Sequence, residues 1–360
     1  MKKWIIGWIG ILIFQVIEIQ SQTVRKYSNE FLKIGVGGKY QGLGGSLVAS
    51  KEDPTSVFYN PASISTHENI SASLMHSSYF AGIANYDYGG LILPIKNEQT
   101  LGVSLIRMGI DDIPNTIELY NPDGTINYDK VTSFSISDMA LFLTYAKKIG
   151  KIEGLSVGLN AKIINRSYGT FATGWGFGAD IGAQYVTDKF HVGCMIQDAT
   201  TTFSTWKFSF TEREKEVFAA TNNTIPASSV EISLPSIHLG GTYIFSLAKG
   251  NFSIAPSAKF TIFTEQRNVL LDMSPVSIDG AFGTEFGIYK TAYLRLGVNN
   301  FTRPTDDLGN KYLSLMPSLG LGVKLQQFDL DYSYNNVANA GFGLYSHVFS
   351  FNVRFKKKST

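Results

Sequence analysis

From Ile70 onward the chain reads as about fourteen short runs of alternating residues, joined by linkers that are alternately short and long. Near its end, Leu313, Leu315, Leu319, Leu321, Val323 and Leu325 alternate with Ser314, Ser318, Gly320, Gly322 and Lys324. Successive side chains on a strand point to opposite faces, so this run has one greasy face and one small or polar face. A soluble sandwich turns the polar face to water. A membrane barrel turns the greasy face to lipid and lines its lumen with the polar one.

The linkers decide between the two. Tight turns are expected after every second strand, at Lys96–Glu98, Lys148–Glu153, Thr187–Lys189, Ala248–Gly250, Lys290–Thr291 and Gln326. Longer links, Gly109–Ser137, Ala199–Pro235, Thr264–Pro275 and Thr302–Lys311, fall on the other side, together with a few short ones such as Phe80–Ala84. Bacterial barrels keep short turns in the periplasm and long loops outside. A soluble sandwich has no reason to sort its loops this way. The expected fold is therefore all-β, a transmembrane antiparallel β-barrel of about 14 strands with both termini periplasmic.

Strands are expected near Ile70–Tyr79, Asn85–Ile95, Thr100–Met108, Asp138–Lys147, Gly154–Tyr168, Gly174–Val186 and Phe190–Asp198. They continue near Ser236–Leu247, Phe252–Phe263, Val276–Tyr289, Ala292–Phe301, Tyr312–Leu325, Gln327–Asn336 and Gly343–Phe355. Pro256 and Pro317 each remove a ladder donor, and bulges are expected there. In the last strand Tyr345, Phe349, Phe351, Val353 and Phe355 share one face. Such an aromatic terminal strand is the kind that barrel-assembly machinery engages, here followed by a charged tail, Lys356–Thr360.

Composition agrees with a barrel. Glycine is abundant at 35 residues and aromatics reach 13%, while charged residues stop at 17%, below the roughly 25% of soluble domains. A net charge of +2 without a basic patch argues against nucleic acid as a partner. Residues 1–21 read as an export signal: Lys2 and Lys3, the apolar run Trp4–Ile17, then a polar exit with Ser21 before the cut. The lone Cys194 can form no internal disulfide. It shares the apolar face with Val192 and Ile196, where it would contact outer-membrane lipid.

Ahead of the strands lies a glycine-rich box spanning 22–69. It reads Phe31-Leu32-Lys33-Ile34-Gly35-Val36-Gly37-Gly38, then Gly42-Leu43-Gly44-Gly45, then Asp53-Pro54 and Tyr59-Asn60-Pro61-Ala62. This box resembles that of the PorV/PorQ family of Bacteroidota outer-membrane proteins, itself similar to FadL-type long-chain fatty-acid transporters. Gly42, Gly44, Gly45, Asp53, Pro54, Asn60, Pro61 and Ala62 carry the resemblance. Glu52 and Ser63 depart from it, where the family has a second Asp and a glycine. Read without the family, the glycines permit close backbone packing, and Asp53-Pro54 and Asn60-Pro61 form turns. Too few apolar residues remain for an independent core, so a plug folded into the periplasmic mouth of the lumen is expected. A dinucleotide loop at Gly35-Val36-Gly37 would need a βαβ unit, and the chain downstream is all strands.

No catalytic constellation is present. There is no Gly-x-Ser-x-Gly elbow, and the histidines at 67, 76, 191, 238 and 347 share no metal-ligand spacing; no cofactor is expected. His191 and His238 fall on lumen faces. Lumen charges mix signs, with Asp180, Asp279, Glu285, Asp329 and Asp331 against Lys162, Lys259, Arg295 and Lys324, so mutual pairing is expected. The resemblance implies two non-enzymatic roles. A PorV/PorQ-type protein would serve type IX protein secretion, binding a translocon or secreted cargo through its extracellular loops. A FadL-like barrel would carry a hydrophobic small molecule, and an apolar pocket with a lateral opening near a proline would favour that role.

Overall fold

The computed structural model describes residues 28–79, 82–121, 123–225, 229–273, 275–306, 308–335 and 346–355. The export segment and the charged tail expected from the sequence lie outside the described residues. Eighteen strand segments form one sheet among them. The first nine are β1 Ile70–Tyr79, β2 Ala84–Pro94, β3 Gln99–Asn115, β4 Thr132–Lys148, β5 Leu155–Tyr168, β6 Ala172–Val186, β7 Phe190–Gln197, β8 Thr202–Phe208 and β9 Ser229–Ser233. The rest are β10 Ser236–Tyr243, β11 Phe245–Leu247, β12 Phe252–Phe263, β13 Leu271–Met273, β14 Val276–Ile288, β15 Ala292–Thr302, β16 Ser314–Lys324, β17 Phe328–Asn335 and β18 Ser346–Phe355.

Antiparallel pairing runs from β1 through β7, on to β10 and β12, then from β14 to β18. β18 then pairs with β1, from Ile70↔Phe355 to Ser78↔His347. Fourteen strands therefore close a barrel, each paired with a neighbour on both sides. The alternation sorts as expected. Leu319, Leu321, Val323, Phe177 and Phe351 are exposed on the outer face, while Ser333, Gly320 and Asp180 are buried inward. A continuous greasy belt of this kind suits lipid rather than water. No helix among the described residues is long and apolar enough to cross a membrane.

Three features differ from the sequence expectation. First, the loops expected at Gly109–Ser137 and Ala199–Pro235 contain structure of their own. β3 and β4 continue pairing past a bulge between Ile110 and Ile113. β8 and β9 form a further hairpin around a short helix, α2 (Glu212–Ala220), whose start is closed by a capping box of Thr211 and Glu214. Secondly, neither proline carries a bulge of its own. Pro256 pairs in unbroken register with Thr284, and the bulge near Pro317 belongs to β15, between Asn299 and Thr302. Thirdly, the lumen is not polar all round. Met75, Tyr79, Tyr86, Tyr88, Ile92, Ile106, Phe142 and Ile164, on β1 to β5, point inward and form a buried core.

That core has its other half in the N-terminal segment. Phe31, Leu32, Val36, Val57 and Ile64 pack against it, so burial of both sets is a joint event, worth roughly 1.5–3 kcal/mol for each large side chain. Residues 28–67 lie inside the ring of strands, touching β15 to β18 on one side and β3 to β6 on the other.

Candidate functional site

Two residue pairs shape the lower part of the luminal segment. Asp53 and Asn60 sit in extended backbone, each followed by proline at the start of a 3-10 turn, Pro54–Phe58 and Pro61–Thr66. Proline's missing N–H is no loss there, and its fixed φ suits the first turn. The Asp53 carboxylate accepts from Thr55 N at 3.0 Å and Asn60 Oδ1 accepts from Ala62 N at 3.0 Å, each acting as an N-cap. Asn60 also joins segment to wall: its Nδ2 donates to Val48 O at 2.9 Å and to Ala183 O of β6 at 3.0 Å. Ala62 is fully buried. Pro61 lies against Gly158 of β5, where any β-carbon would overlap it.

The opposite side is held by a helical turn, α1 (Gly38–Gly42), packed on β15 to β18. Gly38 N donates to Ser350 Oγ at 2.6 Å, and Gly42 O accepts from Ser318 Oγ at 3.2 Å. Gly44 and Gly45 follow with φ of 63° and 67°, the left-handed backbone that ends a helix and favours glycine. Their N–H groups fold back onto Gln41 O and Tyr40 O at 3.0 and 2.8 Å.

Lys39 of α1 reaches Asp53 across the segment, Nζ to Oδ2 3.3 Å. Burial alone would lower the lysine and raise the aspartate. The attraction of Asp53 and Glu285 outweighs it at Lys39, which titrates above its ordinary value. At Asp53 the Lys39 charge and the Thr55 hydrogen bonds outweigh it, so the carboxyl titrates below its ordinary value. The pair stays charged at neutral pH. Beside it Arg295 of β15 bridges Glu285 at 2.7 Å and Asp331 at 2.6 Å. At the lower end burial pushes His67 down to about 4, with Ser71 Oγ 3.1 Å from its Nδ1.

The segment does not stop at the short-turn mouth, as the sequence suggested. Its first residues stand at the long-loop end: Ser28 Oγ donates to Glu231 of β9 at 3.3 Å, and Asn29 Nδ2 donates to Ser233 Oγ at 3.3 Å. Glu231 is held by Arg166, which also binds Asp138 at 2.9 Å and lies over the Trp206 ring at 4.7 Å. The chain thus runs down the whole lumen before β1 begins. Nothing in a local sequence pattern specifies that direction, because Ser28 meets a partner 203 residues away.

Between the upper half of this segment and the wall of β7, β10, β12 and β14 to β17 lies a cavity of about 440 Å³. Leu47, Phe58, Met195, Phe263 and Met316 give it an apolar side, and Gln41, His238, Lys259 and Asn335 a polar one. Glu30 and Lys33, 2.6 Å apart, and Arg267 stand over it. His238 shares hydrogen bonds with Ser236, Gln197 and Thr261 at 3.0–3.2 Å. Lys162, by contrast, is bound within the wall by Asp180 at 2.7 Å and by Asp198. Arg354 and Asp329 likewise pair, Nη2 to Oδ1 2.8 Å. Among the described residues no group of His, Cys, Asp and Glu could hold a metal.

The cavity meets an interruption in the wall. β7 ends at Gln197 and the chain resumes as β8 at Thr202; β9 ends at Ser233 and resumes as β10 at Ser236, across Leu234-Pro235. Below the break β10 pairs with β12, starting from Ser236↔Phe263. Above it, among the described residues, β9 pairs with β8 alone. Across the gap Thr264 Oγ1 donates to Pro235 O at 2.8 Å. Ser233, Leu234, Pro235, Phe263 and Thr264 all line the cavity.

No protein-family model matches the chain, and no curated protein sequence matches it either. Solved structures do resemble it. The monoaromatic hydrocarbon channel CymD is similar with a TM-score of 0.54 at 14% identity, over 91% of this chain and 99% of that one. The P. putida toluene transporter TodX gives 0.55 at 12%, over 90% and 99%. A Pseudomonas aeruginosa FadL homologue gives 0.51 at 13%, over 88% and 97%. At these identities the likeness is one of fold: a FadL-like barrel.

Proposed function

We propose that this protein is a non-enzymatic outer-membrane barrel that admits a hydrophobic or amphipathic small molecule from the long-loop side and releases it sideways. The observation that carries the reading is the cavity of about 440 Å³ above the luminal segment, reaching the wall where β9 and β12 part. The volume lies in the range of small-ligand sites. Residues 28–67 serve as the plug beneath it, so a molecule that enters from outside has no straight path to the periplasm. The structural likeness to hydrocarbon and toluene channels supports transport over the secretion role, which the resemblance of the glycine-rich box implied.

Met316→Trp places an indole in the cavity on an inward position of β16. Proteoliposomes with the variant should take up a hydrophobic fluorophore several-fold more slowly than wild type, with an unchanged barrel by circular dichroism. Equal uptake would contradict the reading.

A secretion role retains one observation in its favour. The β3–β4 and β8–β9 hairpins project beyond the ring and are tied by Arg213 and Glu118 at 3.7 Å, and exposed loops on a rigid scaffold suit recognition of a translocon or cargo.

A further inference from the structure

The short turns carry their lysines unevenly. From β2 to β5 lysine comes with acid, Lys96 with Glu98 and Lys151 with Glu153. The next three turns, between β6 and β7, β11 and β12, and β14 and β15, present Lys189, Lys249 and Lys290, all exposed, with Asp188 the sole acid. Asp188 lies 3.7 Å from Lys51, and among the described residues the three lysines pair with no carboxylate. Hydrogen bonds join these turns into one arc: Ile244 N donates to Lys189 O at 2.9 Å, and Tyr289 N to Asn251 O at 2.6 Å. Lys249 and Lys290 hold left-handed backbone, φ 58° and 53°, where glycine or asparagine would serve the turn at less cost. The lysines are kept against the local backbone preference.

On the outer face, aromatic pairs stand directly above the arc, Phe190 with Tyr243 at 5.0 Å and Phe252 with Tyr289 at 5.9 Å. An aromatic girdle of this kind marks the headgroup level of a bilayer. Higher still the wall is hollow. Gly241, Ala258 and Pro256 floor a depression of about 660 Å³ edged by Tyr243, Phe282 and Leu296. Packing does not impose the glycine, since a β-carbon on Gly241 would meet nothing nearer than 3.6 Å. Pro256 and Ala258 lie four and six residues into β12, roughly 10–15 Å above the turn on a tilted strand, within reach of an acyl chain rooted there.

We propose that this arc binds an anionic phospholipid of the inner leaflet. The short turns stand on the periplasmic side, where a bacterial outer membrane presents phospholipid. The phosphate takes charge-assisted hydrogen bonds from Lys249 and Lys290, and one acyl chain rises past the girdle into the hollow. A head that carries its own ammonium is disfavoured, because the arc sets lysines against it and its only carboxylate stands beside Lys51. The inference rests on the reading that this wall faces a bilayer with its short turns in the periplasm, and is independent of what the lumen carries.

The test uses the full-length mature protein in nanodiscs of equal phosphatidylglycerol, phosphatidylethanolamine and phosphatidylcholine, with retained lipid read by native mass spectrometry. Wild type should retain phosphatidylglycerol several-fold over its share. Lys249→Gln with Lys290→Gln should bring it back to its share, whereas Lys96→Gln with Lys151→Gln, which removes equal charge from the mixed turns, should leave the preference intact. Gly241→Leu, filling the hollow, should lower the amount of lipid held without changing its kind. Retention in bulk proportion, enrichment of either zwitterionic lipid, equal loss from both lysine pairs, or full retention in Gly241→Leu would overturn the proposal while leaving the membrane reading intact. Failure of the wild type to enter nanodiscs would overturn both.

Discussion

Gly42 of the luminal segment and Gly320 of β16 meet backbone to backbone: a β-carbon on Gly42 would lie 2.7 Å from Gly320 Cα. Glycines on the wall and glycines in the segment thus answer one another, and the segment seats only because both sides lack side chains there. Gly44 against Val298 and Gly283 against Leu43 O repeat the relationship, at 2.8 and 2.6 Å.

Gly320→Val should therefore unseat α1 without opening the barrel. Overpacking at such a contact costs roughly 1–3 kcal/mol, enough to shift the segment but not the fourteen-strand ring. Planar-bilayer recordings should show raised conductance, with normal heat-modifiable mobility on gels. A closed variant of wild-type conductance would mean that the segment does not block the lumen.

Acid should loosen the segment. His67 stays neutral when seated until about pH 4, whereas in the released chain it protonates at its ordinary value of 6.5. Protons therefore favour the released form between those limits, and the seated form loses stability as pH falls, by roughly 3 kcal/mol in total. Asp53, depressed by Lys39, acts in the same direction at still lower pH. Conductance should stay flat from pH 8 to 7 and climb below 6. His67→Gln should remove the upper part of that rise.

Leu319→Arg and Leu321→Arg, on the exposed face of β16, should each hinder insertion by roughly 2–4 kcal/mol if near the midplane. Refolding yields into vesicles measure it. From the sequence, Ser318→Arg looks like the mild lumen control. Ser318 instead donates to Gly42 O at 3.2 Å, so an arginine there would dislodge α1. Thr261→Arg, facing the cavity, is the control expected to insert normally.

The ring was legible because alternation is a local property. Trp175 to Tyr185 or Leu315 to Leu325 reveal their faces within one strand, and tight turns such as Lys96–Glu98 mark the ends. What escaped was non-local. Trp206 and Phe208 alternate inside what reads as a polar loop, and they become strand only through the pairing of β8 with β6 and β9. Tyr86, Tyr88 and Ile92 break the polar-lumen rule because they share one core with Phe31, Val36, Val57 and Ile64 of the luminal segment. Of the box, Asp53-Pro54 and Asn60-Pro61 were readable as turns. That Asn60 also fastens to Ala183 was not, nor was the pairing of Lys39 with Asp53.

The sideways path can be tested at its narrowest point. In a Cys194→Ala background, Pro235→Cys with Thr264→Cys places two thiols across the gap that the Thr264–Pro235 hydrogen bond spans. Uptake of a hydrophobic fluorophore into proteoliposomes is measured before oxidation, after it, and after reduction. The account predicts uptake near wild type in the reduced protein, several-fold slower uptake once the disulfide forms, and recovery on reduction. Uptake that is indifferent to a confirmed disulfide would contradict it.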